Sequence, residues 1–433
     1  MNTNKTILLG LNELNFDFIN YYVNNGLLPN FKSIFKNNKI IRTRSEKEYN
    51  LLEPWIQWAT VHTGKDFSQH KVFRLGDIVG RNDLTQIFEE IESKGFSVGA
   101  VSPFNAENRL KKASFFIPDP WTKTKPSKGF LIKSIYKSIS QLVNDNSNSK
   151  LKMRSLFGLL IGLLVYVPIT NWSFYMKNLL KFKKPGIKAV ILDSLLADIF
   201  ISLHKKNQPD FSNLFLNSGA HIQHHYLFNS EAYAGDLKNP DWYCTKGFDP
   251  LIIILKLYDK ILGRLLQIKN LKLIIATGLH QAPHEKLTFY WRIKNHKIFI
   301  RDLGINKFKD LFPRMSRDFL ITFTSIDEAK KAENIIESYV MGSDGIKIFR
   351  VDNRGLSLFI ELVYPADISD NDFIFSEKFK TKINKFKSYI SFVAIKNGEH
   401  NGLGYLTSNF NINCSSVIKL KELNKIIKTA VYQ

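Results

Sequence analysis

Five short apolar runs, at residues 7–10, 96–101, 189–193, 211–217 and 271–277, each stop abruptly at polar residues or glycine. Runs of that length and abruptness mark strands buried on both faces, the situation of a parallel sheet. Amphipathic stretches lie between them. Phe16, Ile19, Tyr22 and Val23 recur at helical spacing after the first run, and 84–94 precedes the second. This alternation predicts a three-layer α/β/α fold with a mostly parallel central sheet. Residues 318–395 break the pattern. There 318–324, a helix-like 326–341, then 345–351 and 356–363 read β-α-β-β and predict a small α+β subdomain. The expected division is 1–120 for the first part of the core, 121–190 for a helical insertion, and 191–314 for the second part of the core. The small subdomain is expected at 315–395 and a return to the core at 396–433. Residues 144–149 read as an exposed loop.

The insertion stands apart by charge. The chain carries 61 Lys+Arg against 39 Asp+Glu, a net +22, and between residues 111 and 190 fifteen basic residues face only Asp119 and Asp145. Inside it runs Leu156-Phe-Gly-Leu-Leu-Ile-Gly-Leu-Leu-Val-Tyr-Val-Pro-Ile169. A bilayer-spanning helix needs about 20 apolar residues. This run is shorter, contains Pro168, and is basic on both flanks, so no charge asymmetry sets an orientation. A segment lying in an anionic membrane surface is the reading preferred over a buried helical hairpin. The expected partners are that surface and a lipid-linked or glycan substrate. Nucleic acid is not expected, because the lysines alternate with Leu and Ile rather than with stacking aromatics. Met1-Asn-Thr-Asn-Lys-Thr6 leads straight into the first strand with no leader pattern, and Cys244 and Cys414 lie far apart. Both point to a reducing, cytoplasmic setting at the inner membrane face.

Strand ends are where an open α/β sheet places its chemistry. After the first run comes Gly10-Leu-Asn-Glu-Leu-Asn-Phe16, then Gly26-Leu-Leu-Pro-Asn-Phe31 and Leu52-Glu-Pro-Trp-Ile-Gln-Trp-Ala-Thr-Val-His-Thr-Gly64. Later strands are followed by Ser218-Gly-Ala-His-Ile-Gln-His-His-Tyr226 and Thr277-Gly-Leu-His-Gln-Ala-Pro-His-Glu285, and Gly398-Glu-His-Asn-Gly402 lies near the C-terminus. Six of the ten histidines fall in the last three segments, which suggests a metal or acid–base site. His62 and His70 read as structural, and Trp55 and Trp58 as packing residues.

The order of these segments resembles the alkaline phosphatase superfamily, in its type I phosphodiesterase/nucleotide pyrophosphatase branch. The resemblance implies two bound metal ions, commonly zinc, and displacement at a phospho- or sulfoester through a Thr or Ser nucleophile. It carries ligand roles onto His224, His280 and His400. The departures are specific: the family's Asp ligands are replaced by Asn12, Ala220 and Leu279, and its nucleophile position holds Pro54. Two cations held close together need carboxylates to offset their charge, so at most one divalent metal, zinc or manganese, is expected here, or none. Glu13, beside Asn12, is the remaining candidate ligand.

The candidate catalytic groups are Glu13, Glu53, His224 and His280, and the candidate metal ligands Glu13, His224, His280 and His400. Candidate substrate contacts are Asn12, Thr60, Thr63 and His221. The leading expectation is an enzyme that hydrolyses or transfers a phospho-type group on an anionic, membrane-associated substrate. The alternatives are the same fold turned to glycosyl transfer or hydrolysis with Glu13 and Glu53, and a binding protein without activity.

Overall fold

The computed structural model describes residues 4–144, 153–314 and 317–433. The chain forms two compact units. The first comprises 1–236, 240–283 and 398–433, and the second 237–239 and 284–397.

The first unit opens with β1 (Lys5–Leu11), α1 (Phe16–Asn24), α2 (Pro29–Asn37) and β2 (Ile41–Arg44). It continues through α3 (Pro54–Thr63), α4 (Phe67–His70), α5 (Ile87–Ser93), β3 (Val98–Val101) and β4 (Phe115–Ile117). Four helices follow: α6 (Phe130–Asn144), α7 (Met153–Tyr166), α8 (Ile169–Leu179) and α9 (Ile187–Asn207). Then come β5 (Phe211–Leu216), α10 (Ser218–Tyr226), α11 (Pro250–Leu266) and β6 (Leu271–Ala276). β7 (His280–Ile293) leads out of this unit, and after the second unit the chain returns along β15 (Ile390–Asn401). It closes with β16 (Leu403–Ser408), β17 (Val417–Lys419) and α14 (Glu422–Tyr432).

Eight strands form the central sheet in the order β17-β2-β16-β6-β1-β5-β3-β4. The five from β6 to β4 are parallel neighbours, in register Gly10↔Phe215 and Gly10↔Ala276 around β1. β16 runs antiparallel to both of its neighbours. Successive β1 side chains enter different cores, as the two-residue period requires. Ile7, Leu9 and Leu11 pack with helices α1, α2, α9 and α11, whereas Leu8 packs with α3, α5 and α14. The result is a three-layer α/β/α arrangement with a mostly parallel sheet.

One expected strand is a helix. The run 189–193 lies in the first turns of α9, a 21-residue helix whose Val190, Leu195, Ala197, Ile199, Phe200 and Leu203 are all buried. A short apolar run does not distinguish a buried strand from a buried helix by periodicity, and only the length of the surrounding apolar stretch separates them. The basic insertion is helical. α6 and α7 approach closely at Gly158, where a Cβ would lie 2.1 Å from Ser138 Oγ. The segment 144–149, read as a loop, lies from 145 onward outside the described residues. No helix among the described residues is long and apolar enough to cross a membrane.

The second unit is α+β. It contains α12 (His296–Asp302), β8 (Asp310–Pro313), β9 (Asp318–Thr322), α13 (Ile326–Glu337), β10 (Val340–Met341), β11 (Phe349–Asn353), β12 (Ser357–Leu362), β13 (Ile374–Ser376) and β14 (Thr381–Ile383). β11-β12-β9-β8 make one antiparallel sheet and β10-β13-β14 another. The helix expected over 326–341 stops at Glu337, because Val340 and Met341 pair with Phe375 and Ile374.

Candidate metal centre

The centre is built on the turn that follows β1. Asn12 N–H donates to Leu216 O at the end of β5, and Glu13 N–H to Thr277 O at the end of β6. The turn is thereby clamped between the carboxyl ends of both neighbouring strands. Glu13 itself adopts left-handed backbone, φ 55°, and is buried.

Two histidines from distant parts of the chain meet the Glu13 carboxylate. His224 Nε2, on α10, lies 3.0 Å from Glu13 Oε2, and His400 Nε2, on β15, lies 3.1 Å from the same oxygen. The two rings are 5.1 Å apart. One ligand atom from each of Glu13, His224 and His400 falls within 4.8 Å of the others. Glu53, at the N-cap of α3, joins from the far side of His400, with Oε2 3.7 Å from its Nδ1.

Neutral amides complete the shell. Asn12 Nδ2 donates to Glu13 Oε1 (2.9 Å) and to Asn217 Oδ1 (2.7 Å), while its own oxygen accepts from Trp58 Nε1 (2.9 Å). Gln281 Nε2 donates to Glu13 Oε2 at 2.6 Å and to Ala220 O at 3.1 Å. Gln223 Nε2 donates to the Glu13 carbonyl at 3.0 Å. The Gln281 amide has room because residue 398 is glycine: a Cβ there would lie 2.1 Å from Gln281 Oε1 and 2.9 Å from Gln223 O.

Electrostatics favour an ionised carboxylate. Burial pushes the Glu13 carboxyl up, but the charges of His400 and His224 and their hydrogen bonds outweigh it and hold the group well below the usual range. His224 Nδ1 stands 3.4 Å from the Gly398 carbonyl, which holds the ring with Nε2 facing Glu13.

This donor set fits one divalent ion. Two imidazoles and a carboxylate leave a coordination position open, as hydrolytic zinc sites do, and manganese also accepts such ligands. Glu13 and Glu53 together balance a 2+ charge. A second ion would need further carboxylates where Asn12, Ala220 and Leu279 stand.

The other expected site residues make contacts of their own. His280 is not among the converging ligand atoms: its Nδ1 bonds the Leu403 carbonyl at 2.6 Å and its ring packs on Tyr405, with burial holding its pKa down. Thr60 and Thr63 donate to the Ile56 and Ala59 carbonyls within α3, and Thr60 also meets His70 Nε2 at 3.1 Å. His221 is exposed one turn before His224 and packs its ring against His225. His62 and His70 are buried and serve packing. Gln223, Gln281 and Asn217 were not singled out from sequence. Gln223 and Gln281 lie inside the segments that carry His224 and His280, and Asn217 directly precedes the first of these, but an amide carries no metal or acid–base signal of its own.

No family model matches the chain, and no curated protein matches it. Among solved structures it is similar to phosphonoacetate hydrolase from Sinorhizobium meliloti, at 10% identity and TM-score 0.45, with 99% of this chain and 96% of that chain covered. Human ectonucleotide pyrophosphatase/phosphodiesterase 5 aligns at 11% identity and TM-score 0.45, covering 99% and 95%. An alkaline phosphatase from the Antarctic bacterium TAB5 aligns at 12% identity and TM-score 0.40, covering 100% and 99%. All three are distant likenesses.

Proposed function

We propose that this protein binds one divalent cation, zinc or manganese, at Glu13, His224 and His400, and hydrolyses or transfers a phospho-type group on an anionic substrate. The observation that carries the reading is the convergence of two imidazole Nε2 atoms on one buried, ionised carboxylate, at strand ends whose motif order resembles a phosphoester-cleaving family. A divalent cation held there would polarise a phosphoryl oxygen and acidify bound water.

The chain's own groups have distinct parts. Asn12 and Gln281 fix the Glu13 carboxylate, the Gly398 carbonyl fixes the His224 ring, and Glu53 orients His400. Pro54 stands where the resemblance puts a nucleophile, and Thr60 and Thr63 donate their hydroxyls within α3, which favours water or an acceptor hydroxyl as the attacking group.

The test is metal content of the purified chain, together with turnover of an aryl phosphate monoester and an aryl phosphodiester. About one zinc or manganese per chain is expected, with His224→Ala and His400→Ala losing both metal and turnover while circular dichroism stays unchanged. Two tightly held ions per chain, or undiminished turnover in the metal-free protein, would contradict the reading.

A further inference from the structure

We infer that the outer face of α7 and α8 is a docking surface for an anionic lipid membrane. The inner side of this pair is already occupied. Gly158 and Gly162 sit against α6, and Val167 and Tyr175 are buried in the core. The outer side is apolar and open, with Leu164 61%, Ile169 89% and Leu180 87% exposed, and Leu160 and Met176 beside them. Positions 160 and 164, then 176 and 180, are one helical turn apart, so each helix presents a stripe rather than scattered residues. Soluble surfaces rarely leave such a patch uncovered without a partner.

Charge identifies the partner. No acidic residue occurs between Asp145 and Asp193, whereas Lys177, Lys181 and Lys183 are exposed at the end of α8 and just beyond it. An apolar stripe whose own segment carries cations and no acid suits a surface that offers hydrocarbon below a layer of negative headgroups. No helix among the described residues is long and apolar enough to cross it, and the stripe lies along α7 and α8, which suits a segment resting in the interface plane.

The surface is tied to the metal centre. Ser218 Oγ, in the first turn of α10, donates to Ala189 O at 2.7 Å, and a Cβ on Gly186 would meet Ile222 of α10 at 3.2 Å. The lysine-bearing connection from α8 to α9 therefore abuts the helix that carries His224. Docking would hold that helix close to the headgroup layer, where a lipid or lipid-linked substrate is presented. The docking itself does not depend on the reaction proposed above.

Co-sedimentation of the full chain with phosphatidylcholine vesicles, with and without phosphatidylglycerol, tests this. Binding to the anionic vesicles is expected, and it should weaken as salt rises. The triple variant Leu164→Ser, Ile169→Ser, Leu180→Ser should bind at least about tenfold more weakly, and Lys177→Gln, Lys181→Gln, Lys183→Gln should lose the preference for anionic lipid. All six positions are exposed, so unchanged circular dichroism and metal content establish that the variants fold. Three results would overturn the proposal: equal binding to both vesicle types, no binding to either, or a dimer in solution that the apolar triple variant dissociates.

Discussion

Glu13 holds its carboxylate through a backbone conformation that costs a side-chain-bearing residue about 1–2 kcal/mol. Two main-chain bonds enforce it, Glu13 N–H to Thr277 O and Gln281 N–H to Glu13 O. Gln281 thus acts twice, since its side-chain amide also donates to Oε2. Replacing it by leucine removes that donor and leaves the main-chain bond. Groups that orient a metal ligand typically account for about tenfold to a hundredfold in affinity. Gln281→Leu is accordingly expected to weaken zinc binding by that factor in calorimetry, with little change in unfolding temperature. Unaltered affinity would reduce Gln281 to a packing residue. Glu13 and the two histidines could be read from residue type and position in sequence. Gln281 could not, because its role comes from the atom it reaches and not from any chemistry of its own.

Helix α10 places His224, and its first turn is held by a buried acid on another helix. Asp193 of α9 accepts from Ser218 N–H at 2.9 Å and from the Tyr258 hydroxyl at 2.6 Å, and Tyr258 in turn accepts from Gly219 N–H. Burial pushes the Asp193 carboxyl up to about 6, against the hydrogen bonds that lower it. The folded chain therefore holds this proton more tightly than the unfolded chain, and the group's contribution to stability falls as pH rises from about 4 to about 6. Two pKa units correspond to at most about 3 kcal/mol. Asp193→Asn keeps an acceptor oxygen for the cap and is expected to remove this component. Unfolding free energies of the parent and the variant, compared at several pH values, should diverge across that window. Parallel profiles would contradict the assignment. In the sequence, 189–193 reads as a strand, which hides Asp193 as a helical residue that caps the site helix.

Four histidines taken together work in the opposite direction and outweigh it. His62, His70, His204 and His296 are buried, and desolvation lowers each to about 4. The unfolded chain takes up these protons first, so stability present above about pH 6.5 is lost as pH falls toward 4. At about pH 5 each histidine accounts for at most about 2 kcal/mol, more in sum than the single aspartate returns. The unfolding temperature is expected to drop between about pH 7 and 5, and a rise over that interval would show that the buried imidazoles are not neutral. Long-range placement sets this behaviour: His62 bonds the Phe104 carbonyl and His204 the Ser212 hydroxyl, partners on other elements.

The order of buried runs and polar strand ends was sufficient to read the α/β layering, the helical basic insertion and the α+β subdomain, because burial on both faces leaves an uninterrupted apolar segment whatever the partners. The same order located the turn at Glu13 and the segments of His224 and His400. Folding chose among locally equivalent candidates. His280 has the same setting after a strand as His224, yet its ring is held by Leu403 and Tyr405 while His224 meets Glu13. Glu53, a residue before a proline in sequence, stands beside His400 from the opposite end of the chain. Such encounters depend on how strands and helices stack across hundreds of positions, and no local pattern of residue types records that distance.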